Sequence, residues 1–233
     1  NTPLGVSVTM ASTISSNCTQ FLSDVKTGEL SRSKLKRFED ETAKSFELLE
    51  NSLQSAAQLI HSFKQVAVDQ TSSKRRVFNL LDTLNEITQT LHHKIKQTEI
   101  KLIVEGPESI ELDSFPGPLG QVITNLFNNA MLHGFDEKGE GDIKINFNML
   151  GDEVRLLFSD NGVGVAEGSI NKLFDPFYTT KLGKGGSGLG LNIVHSIVTN
   201  LMGGKIHAES RIGTTFEIKL PLIAPHQKDS DSE

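Results

Sequence analysis

Two glycine-bearing turns on either side of an aromatic segment constrain the fold of this chain more than any other feature. The first, Asp160-Asn-Gly-Val-Gly164, follows an apolar run that ends at Phe158 and is typical of a strand. The second, Gly185-Gly-Ser-Gly-Leu-Gly190, leads into a predicted helix from Leu189 to Met202. A carboxylate at a strand end can accept a hydrogen bond from an exocyclic amine, and glycine backbone at a helix start leaves N–H groups for phosphate. Together the turns predict a nucleotide pocket.

A third segment, from Pro118 to His133, has the spacing of a helix with two faces. Its apolar stripe comprises Leu119, Val122, Ile123, Leu126 and Ala130. Residues four apart form its polar face, which comprises Gln121, Asn125, Asn129 and His133. Asparagine is a mediocre helix former, so two on one face indicate a binding role. Two amides one turn apart suit Mg²⁺, which keeps most of its waters and needs few protein oxygens.

Four motifs, in this order, resemble the N, G1, F and G2 boxes of the sensor histidine kinase ATP-binding domain. They are Asn125-Leu-Phe-Asn-Asn-Ala130, Asp160-Asn-Gly-Val-Gly164, Phe174-Asp-Pro-Phe177 and Gly186-Ser-Gly-Leu-Gly190. The closing stretch from Gly213 to Pro221 resembles the last turn and strand of that domain. The resemblance covers residues 77–222. It implies an α+β chain whose catalytic part is a two-layer α/β sandwich of the Bergerat type, one mixed sheet facing a helical layer, with ATP beneath a mobile lid.

The resemblance also implies roles for individual residues. Asn129 would bind Mg²⁺ with help from Asn125, and Asp160 would read the adenine. Further ATP contacts would come from His133, Gly162, Gly164, Lys181, Lys184, Gly186, Ser187, Gly188, Leu189, Gly190 and Thr214. In one departure, family members often carry Lys or Arg three residues after the second asparagine, where this chain has Leu132. Either a phosphate contact is lost there or His133 replaces it.

Residues 1–70 predict a helical hairpin, because apolar residues recur there at spacings of three and four. The first helix carries Leu4, Val8, Ala11, Ile14, Cys18, Phe21 and Val25. The second carries Leu35, Phe38, Thr42, Phe46, Leu49, Leu53, Ala56, Ile60, Phe63 and Ala67. A lone hairpin cannot cover this seam, so we expect a homodimer with a four-helix bundle. The alternative is a hairpin packed on the second domain.

The first five residues, Asn1-Thr-Pro-Leu-Gly5, resemble the end of the kinase H box. In that motif the phosphorylated histidine lies three residues before the position of Asn1. Thr2 then occupies the place where family members position a water that attacks the phosphoryl group on a partner receiver domain. The resemblance therefore implies an acceptor histidine just upstream of these residues and a response regulator as partner.

Composition limits the classes of ligand and the cellular compartment that suit this chain. The 233 residues carry a net charge of −6, and no basic balance suggests nucleic-acid binding. A single cysteine, Cys18, fits a reducing compartment. The resemblance implies the cytoplasmic portion of a longer sensor, whose membrane attachment stays open. We expect a hairpin over 1–70, a linker over 71–76, the catalytic domain over 77–222 and a disordered tail over 223–233.

Other interpretations fit some of these motifs. Gly183, Gly185 and Gly188 fit a dinucleotide-binding pattern, but the segment before them is a poor central strand, and no glycine loop ends as a P-loop does.

ATP hydrolases related to gyrase, and serine kinases of the same superfamily, typically carry Glu at the Asn125 position. A carboxylate can deprotonate water or serine, whereas an amide cannot, so Asn125 favours transfer to a neutral imidazole. A dimeric scaffold that holds ATP without turnover remains open.

Overall fold

The computed structural model describes residues 3–72, 74–96, 98–135, 139–181 and 186–225, without the side chains of 54, 55 and 58–72. The chain divides into two compact units, residues 1–64 and 65–233. No helix among the described residues is long and apolar enough to cross a membrane.

The first unit is an antiparallel helical hairpin. Helix α1 spans Pro3–Thr27, and α2 spans Arg32–Ser72 and continues past the division between the units. Phe21 stacks on Phe38 with ring centroids 4.3 Å apart, and the Ser52 hydroxyl donates to the Pro3 carbonyl oxygen. These two contacts set the register of the hairpin.

The inner seam of α1 is more polar than the predicted apolar stripe. The α1 residues that are least exposed alternate at spacings of four and three, and include Pro3, Ser7, Met10, Ile14, Asn17, Phe21 and Asp24. Ser7 and Asp24 are buried, whereas Leu4 and Val8 are 64% and 65% exposed. The prediction of a single stripe is therefore wrong, because it merged this inner seam with an outer stripe offset by one residue. That outer stripe comprises Leu4, Val8, Ala11, Ser15, Cys18, Leu22 and Val25.

The polar segment over 71–76 lies within the second unit and overlaps the elements on either side of it. We expected a linker over 71–76, but α2 runs to Ser72 and strand β1 begins at Arg76. The segment has no Gly or Pro to end the helix, so its polarity alone does not stop α2.

The second unit is built on a mixed sheet. After β1 (Arg76–Asn79) come α3 (Leu80–Ile95), β2 (Glu99–Glu105), β3 (Glu111–Ser114), α4 (Pro116–Asn129), β4 (Glu140–Leu150), β5 (Glu153–Asp160), α5 (Gly190–Ser196), β6 (Lys205–Arg211) and β7 (Gly213–Pro221). Five strands lie in the order β2-β4-β5-β7-β6, parallel between β2 and β4 and antiparallel elsewhere. The short strands β1 and β3 pair separately. The mixed sheet and its helices confirm the expected α+β class.

One face of the five-stranded sheet packs against the helices. Burial alternates along β5, where Val154, Leu156, Phe158 and Asp160 are buried, and the register pairs Phe158 with Phe216 of β7. From α4, Leu126 and Phe127 enter the same core. This period of two turns the last residue of β5, a carboxylate, toward the helical layer.

Helix boundaries near the site differ from those predicted. Helix α4 begins at Pro116 and passes into a π-helical turn, Ala130–Gly134, while α5 is followed by a second one, Ile197–Leu201. A π-turn adds a residue per turn and is frequent at functional sites.

The predicted disorder from residue 223 is wrong for the first residues of the tail. Ala224 is buried, and its N–H donates to the Asp113 carbonyl oxygen of β3 at 2.9 Å. This contact fixes the tail because β3 offers it an unpaired edge. Residues 226–233 lie outside the described part of the chain.

Candidate functional site

One cavity brings together three segments that the sequence analysis singled out. They are the asparagine-bearing end of α4, the segment after Phe177, and the glycine loop before α5. The described lining residues are Asn125, Asn128, Asn129, Leu132, His133, Tyr178, Thr179, Gly186, Ser187, Gly188, Gly190 and Leu191. The lining is largely neutral amide, hydroxyl and glycine backbone, which suits a ligand that brings its own charge.

The two asparagines on α4 present amides to this cavity. The apolar stripe of α4, with Leu126 fully buried, packs on the core and turns Asn125 and Asn129 toward the cavity. The Nδ2 atom of Asn125 is buried without a hydrogen-bond partner in the described structure. A buried amide of this kind calls for a partner, which a bound ligand can supply. No group of three His, Cys, Asp or Glu side chains able to hold a metal occurs among the described residues.

His133 connects α4 to the segment across the cavity. Its Nδ1 lies 3.1 Å from Thr180 Oγ1, a hydrogen bond in which the ring tautomer decides the donor. The π-helical turn shifts the side chains around Ala130 away from strict four-residue spacing, yet His133 still lines the cavity, and Leu132 does so as well. Gln121, at the other end of the predicted polar face, is not among the lining residues.

The Asp160 carboxylate lies at the end of β5, where it is 6% exposed. Its Oδ1 accepts from the Gly162 N–H at 2.9 Å and from the Thr214 N–H at 3.3 Å. Burial raises the pKa of Asp160 above its usual value, and the two backbone hydrogen bonds partly oppose that rise. At Gly213 a Cβ atom would overlap the Asp160 carbonyl oxygen, so only glycine allows this turn to approach.

The glycine loop and the aromatic segment are held together by backbone contacts. Phe177 N–H donates to the Gly188 carbonyl oxygen at 2.9 Å, and Asn192 of α5 donates to the Phe174 carbonyl oxygen at 3.0 Å. Gly188 has φ +69°, and a Cβ there would overlap the Phe177 backbone. Phe177 itself has φ 68°, a strained value for a residue with a side chain, and such strain clusters at ligand clamps.

The predicted site residues fall into two groups in the structure. Asn125, Asn129, His133, Gly186, Ser187, Gly188 and Gly190 line the cavity. Asp160, Gly162 and Thr214 form a second cluster, and Gly134, the last residue of the π-helical turn, lies against the Asp160 carboxylate. Gly164 lies instead against Ser210 and Gly213. Leu189 precedes α5, and the Lys181 carbonyl oxygen accepts from the Gly186 N–H at 3.2 Å. Thr2 and Lys184 lie outside the described residues.

Sequence reasoning missed Asn128, Tyr178 and Thr179, which also line the cavity. Asn128 lies three residues after Asn125, and spacings of three share a helix face as well as spacings of four do. That spacing was the available signal for Asn128. Tyr178 and Thr179 belong to an irregular segment, where no periodicity indicates which way a side chain points.

Comparison with known proteins identifies this unit. Residues 116–224 match the family described as histidine kinase-, DNA gyrase B-, and HSP90-like ATPase. The autoinducer 2 sensor kinase/phosphatase LuxQ of Vibrio cholerae is 35% identical over 125 residues, which are 49% of this chain and 14% of LuxQ. The chain thus spans a small part of that relative.

Solved structures extend the comparison. The structure of the histidine kinase ThkA in complex with the response regulator protein TrrA is 24% identical to this chain, with a TM-score of 0.58. The match covers 92% of this chain and 60% of the ThkA chain, and it shows likeness of fold. The catalytic domain of ThkA is 31% identical with a TM-score of 0.58 and covers 64% of this chain and 97% of its own. The chain therefore belongs to the histidine kinases and carries their catalytic ATP-binding domain.

Proposed function

We propose that this chain binds Mg-ATP in the described cavity and passes the γ-phosphoryl group to a histidine, from which it moves to an aspartate of a response-regulator receiver domain. The observation that carries the proposal is the joint arrangement of two α4 amides, a glycine loop and a buried strand-end carboxylate. Its partners are the receiver domain and a second copy of the chain, and its location is cytoplasmic.

At the adenine end, Asp160 acts as a hydrogen-bond acceptor. Oδ1 already accepts from two backbone N–H groups, which fixes the carboxylate and leaves Oδ2 for an exocyclic amine. Gly162 and Thr214 hold this carboxylate, and Gly162 and Gly164 allow a flat ring to approach the turn. Burial makes such a hydrogen bond stronger than it would be in water.

At the phosphate end, Asn129 and Asn125 hold Mg²⁺ through amide oxygens. The donor set fits, because magnesium takes one or two protein oxygens and fills its shell with phosphate and water. When bound, Mg²⁺ neutralises charge on the phosphate oxygens. Gly186, Ser187, Gly188, Leu189 and Gly190 close over the phosphates with backbone N–H groups, and His133, Lys181 and Lys184 add polar contacts.

The residues of the cavity position the reactants and exclude water. No described lining residue is a carboxylate that could deprotonate water or a serine, which argues against the hydrolases and serine kinases of the superfamily. A neutral imidazole nitrogen is already nucleophilic. It forms the N–P bond while the bond from the γ-phosphorus to the bridging oxygen breaks, and ADP leaves. The histidine is the one that the resemblance of residues 1–5 places before Asn1, and Thr2 serves the later hydrolytic step on the receiver.

The hairpin supplies the dimer in this proposal. Its outer stripe carries Leu4, Val8, Leu22 and Val25 at exposures near one half or more. A second copy would bury that stripe in a four-helix bundle. The sole cysteine, Cys18, lies on this stripe, so formation of the dimer should slow its alkylation by a maleimide.

Labelling with γ-labelled ATP tests the catalytic part of the proposal. Residues 1–233 alone should stay unlabelled in Mg²⁺, whereas a chain extended upstream to include a histidine at the third position before Asn1 should acquire acid-labile label. Replacing that histidine with Gln is the matched control. Label that survives acid, or label on residues 1–233 alone, would contradict transfer to that histidine.

A further inference from the structure

The described lining of the cavity carries little positive charge. Among its described lining residues none is Lys or Arg, and His133 is the basic side chain. The position where family members often carry Lys or Arg holds Leu132, which lines the cavity. A bound triphosphate brings several negative charges, so a cation from another element would be favourable here.

Helix α3 provides such a cation. Lys94, in its last turn, donates from Nζ to Asn128 Oδ1 at 2.9 Å. Asn128 lines the cavity, and so does Leu132, four positions later in the π-helical turn. The ammonium group of Lys94 therefore lies beside the cavity, next to the amide of Asn128.

We infer that Lys94 is a phosphate-binding residue that takes over the charge missing at Leu132, with Asn128 as its positioning residue. This inference rests on the proposed nucleotide function. An ammonium has three N–H donors, and the hydrogen bond to Asn128 uses one, which leaves donors for phosphate oxygens. Asn128 is a neutral acceptor, so it orients the ammonium without cancelling its charge.

The test compares ligands that differ in their number of phosphates. Titration calorimetry in Mg²⁺ should show that Lys94→Gln weakens ATP binding by about threefold to tenfold, as expected for one partly screened charge. ADP should lose less, and adenosine should bind as it does to the unaltered chain. Lys96→Gln is the matched control, since it removes an exposed lysine two residues away and should leave all three affinities unchanged.

A second substitution distinguishes a Lys94 contact to phosphate from a purely structural contact between α3 and α4. Adding Leu132→Lys to Lys94→Gln should restore the preference for ATP over ADP, because Leu132 lines the cavity and a lysine there returns a cation to it. Unchanged ATP affinity in Lys94→Gln, or an equal loss for ATP and adenosine, would overturn the role of Lys94. If the unaltered chain binds neither ATP nor adenosine, the nucleotide site itself is refuted, and this assignment falls with it.

Discussion

The catalytic unit buries its apolar side chains within one chain, whereas the hairpin turns many of its own outward. Phe127, Phe158 and Phe216 are fully buried in the catalytic unit. In the hairpin, Ser7, Asp24, Ser45 and Ser52 are buried, and Ala56 is the one apolar residue so enclosed among the side chains described there. The catalytic unit therefore encloses its large apolar side chains by itself, and the hairpin leaves an apolar surface of the kind that binds a partner.

The polar groups of the two units differ in the same way. In the catalytic unit the buried Asp160 accepts two backbone hydrogen bonds, and the buried atom without a partner in the described structure, Asn125 Nδ2, belongs to a residue that lines the cavity and not to the core. In the hairpin, Asn17 Nδ2 and Thr42 Oγ1 are buried without partners in the described structure, although Asp24 pairs with Lys34 at 3.0 Å. Unsatisfied polar atoms weaken a seam, so we expect the hairpin seam to contribute less stability than the catalytic core.

Core truncation should give the largest effect. Leu126→Ala should destabilise the catalytic unit by about 2–5 kcal/mol, because it removes a fully buried side chain from a packed core. The exposed Leu48 of the hairpin is the matched control, and Leu48→Ala should cost less than about 0.5 kcal/mol. Chemical denaturation measures both. Equal losses of unfolding free energy in the two variants would contradict the proposed difference in packing between the catalytic unit and the hairpin.

Asp160→Asn should give the next largest effect, about a 10- to 100-fold loss of ATP affinity, since it replaces a charged acceptor with an amide. Titration calorimetry measures this loss. Normal ATP binding by both this variant and Gly188→Ala would place the pocket elsewhere.

The same substitution has an opposite effect on stability. Because burial raises the pKa of Asp160, the folded chain binds this proton more tightly than the unfolded chain does. Protonated Asp160 therefore stabilises the fold fully at pH values below the pKa that it has in the unfolded chain. This stabilisation is lost as the pH rises through the pKa that it has in the folded chain. Asp160→Asn should raise the Tm of the ligand-free chain at neutral pH, and by less in acid. A Tm difference that grows in acid would contradict this sign.

Leu22→Glu tests whether the outer stripe is an interface. Leu22 is 56% exposed in one chain, so the change should leave the hairpin helical but weaken the dimer by about tenfold or more. Sedimentation velocity across a concentration series measures the effect. Ser16→Glu, on an exposed position outside both stripes, should not alter association. A monomeric unaltered chain would contradict the proposed bundle.

The smallest effect concerns the inner seam. Asn17→Leu replaces an amide whose Nδ2 atom is buried without a partner in the described structure by an apolar side chain of similar size, and should stabilise the hairpin by about 1 kcal/mol. Ser16→Ala on the same helix should change stability by less than about 0.5 kcal/mol. Calorimetric unfolding resolves the two, and a destabilised Asn17→Leu would show that the amide has a partner in the assembled state.

Much of the catalytic unit could be predicted because its signals are local and ordered. Alternation along β5 turns Asp160 inward, and four-residue spacing on α4 brings Asn125 and Asn129 to one cavity. The strand β3 was missed because it is short and carries one apolar residue, Leu112.

The hairpin was harder to predict for a geometric reason. Two heptad stripes offset by one residue both show spacings of three and four, so hydrophobicity alone cannot assign Ile14 to the inner seam and Val8 to the outer stripe. Similarly, no local pattern links Lys94 to Asn128, because their contact depends on the packing of α3 against α4.

Titration of the chain with ATP, with and without Mg²⁺, tests the central claim most directly. The unaltered chain should bind one ATP per chain in Mg²⁺, and Asn129→Ala should weaken that binding strongly while leaving the fold intact, because Asn129 lies off the buried stripe of α4. Without Mg²⁺ the two chains should differ little. Equal ATP affinities of the unaltered chain and Asn129→Ala in Mg²⁺ would contradict the assignment of this cavity as the Mg-ATP site.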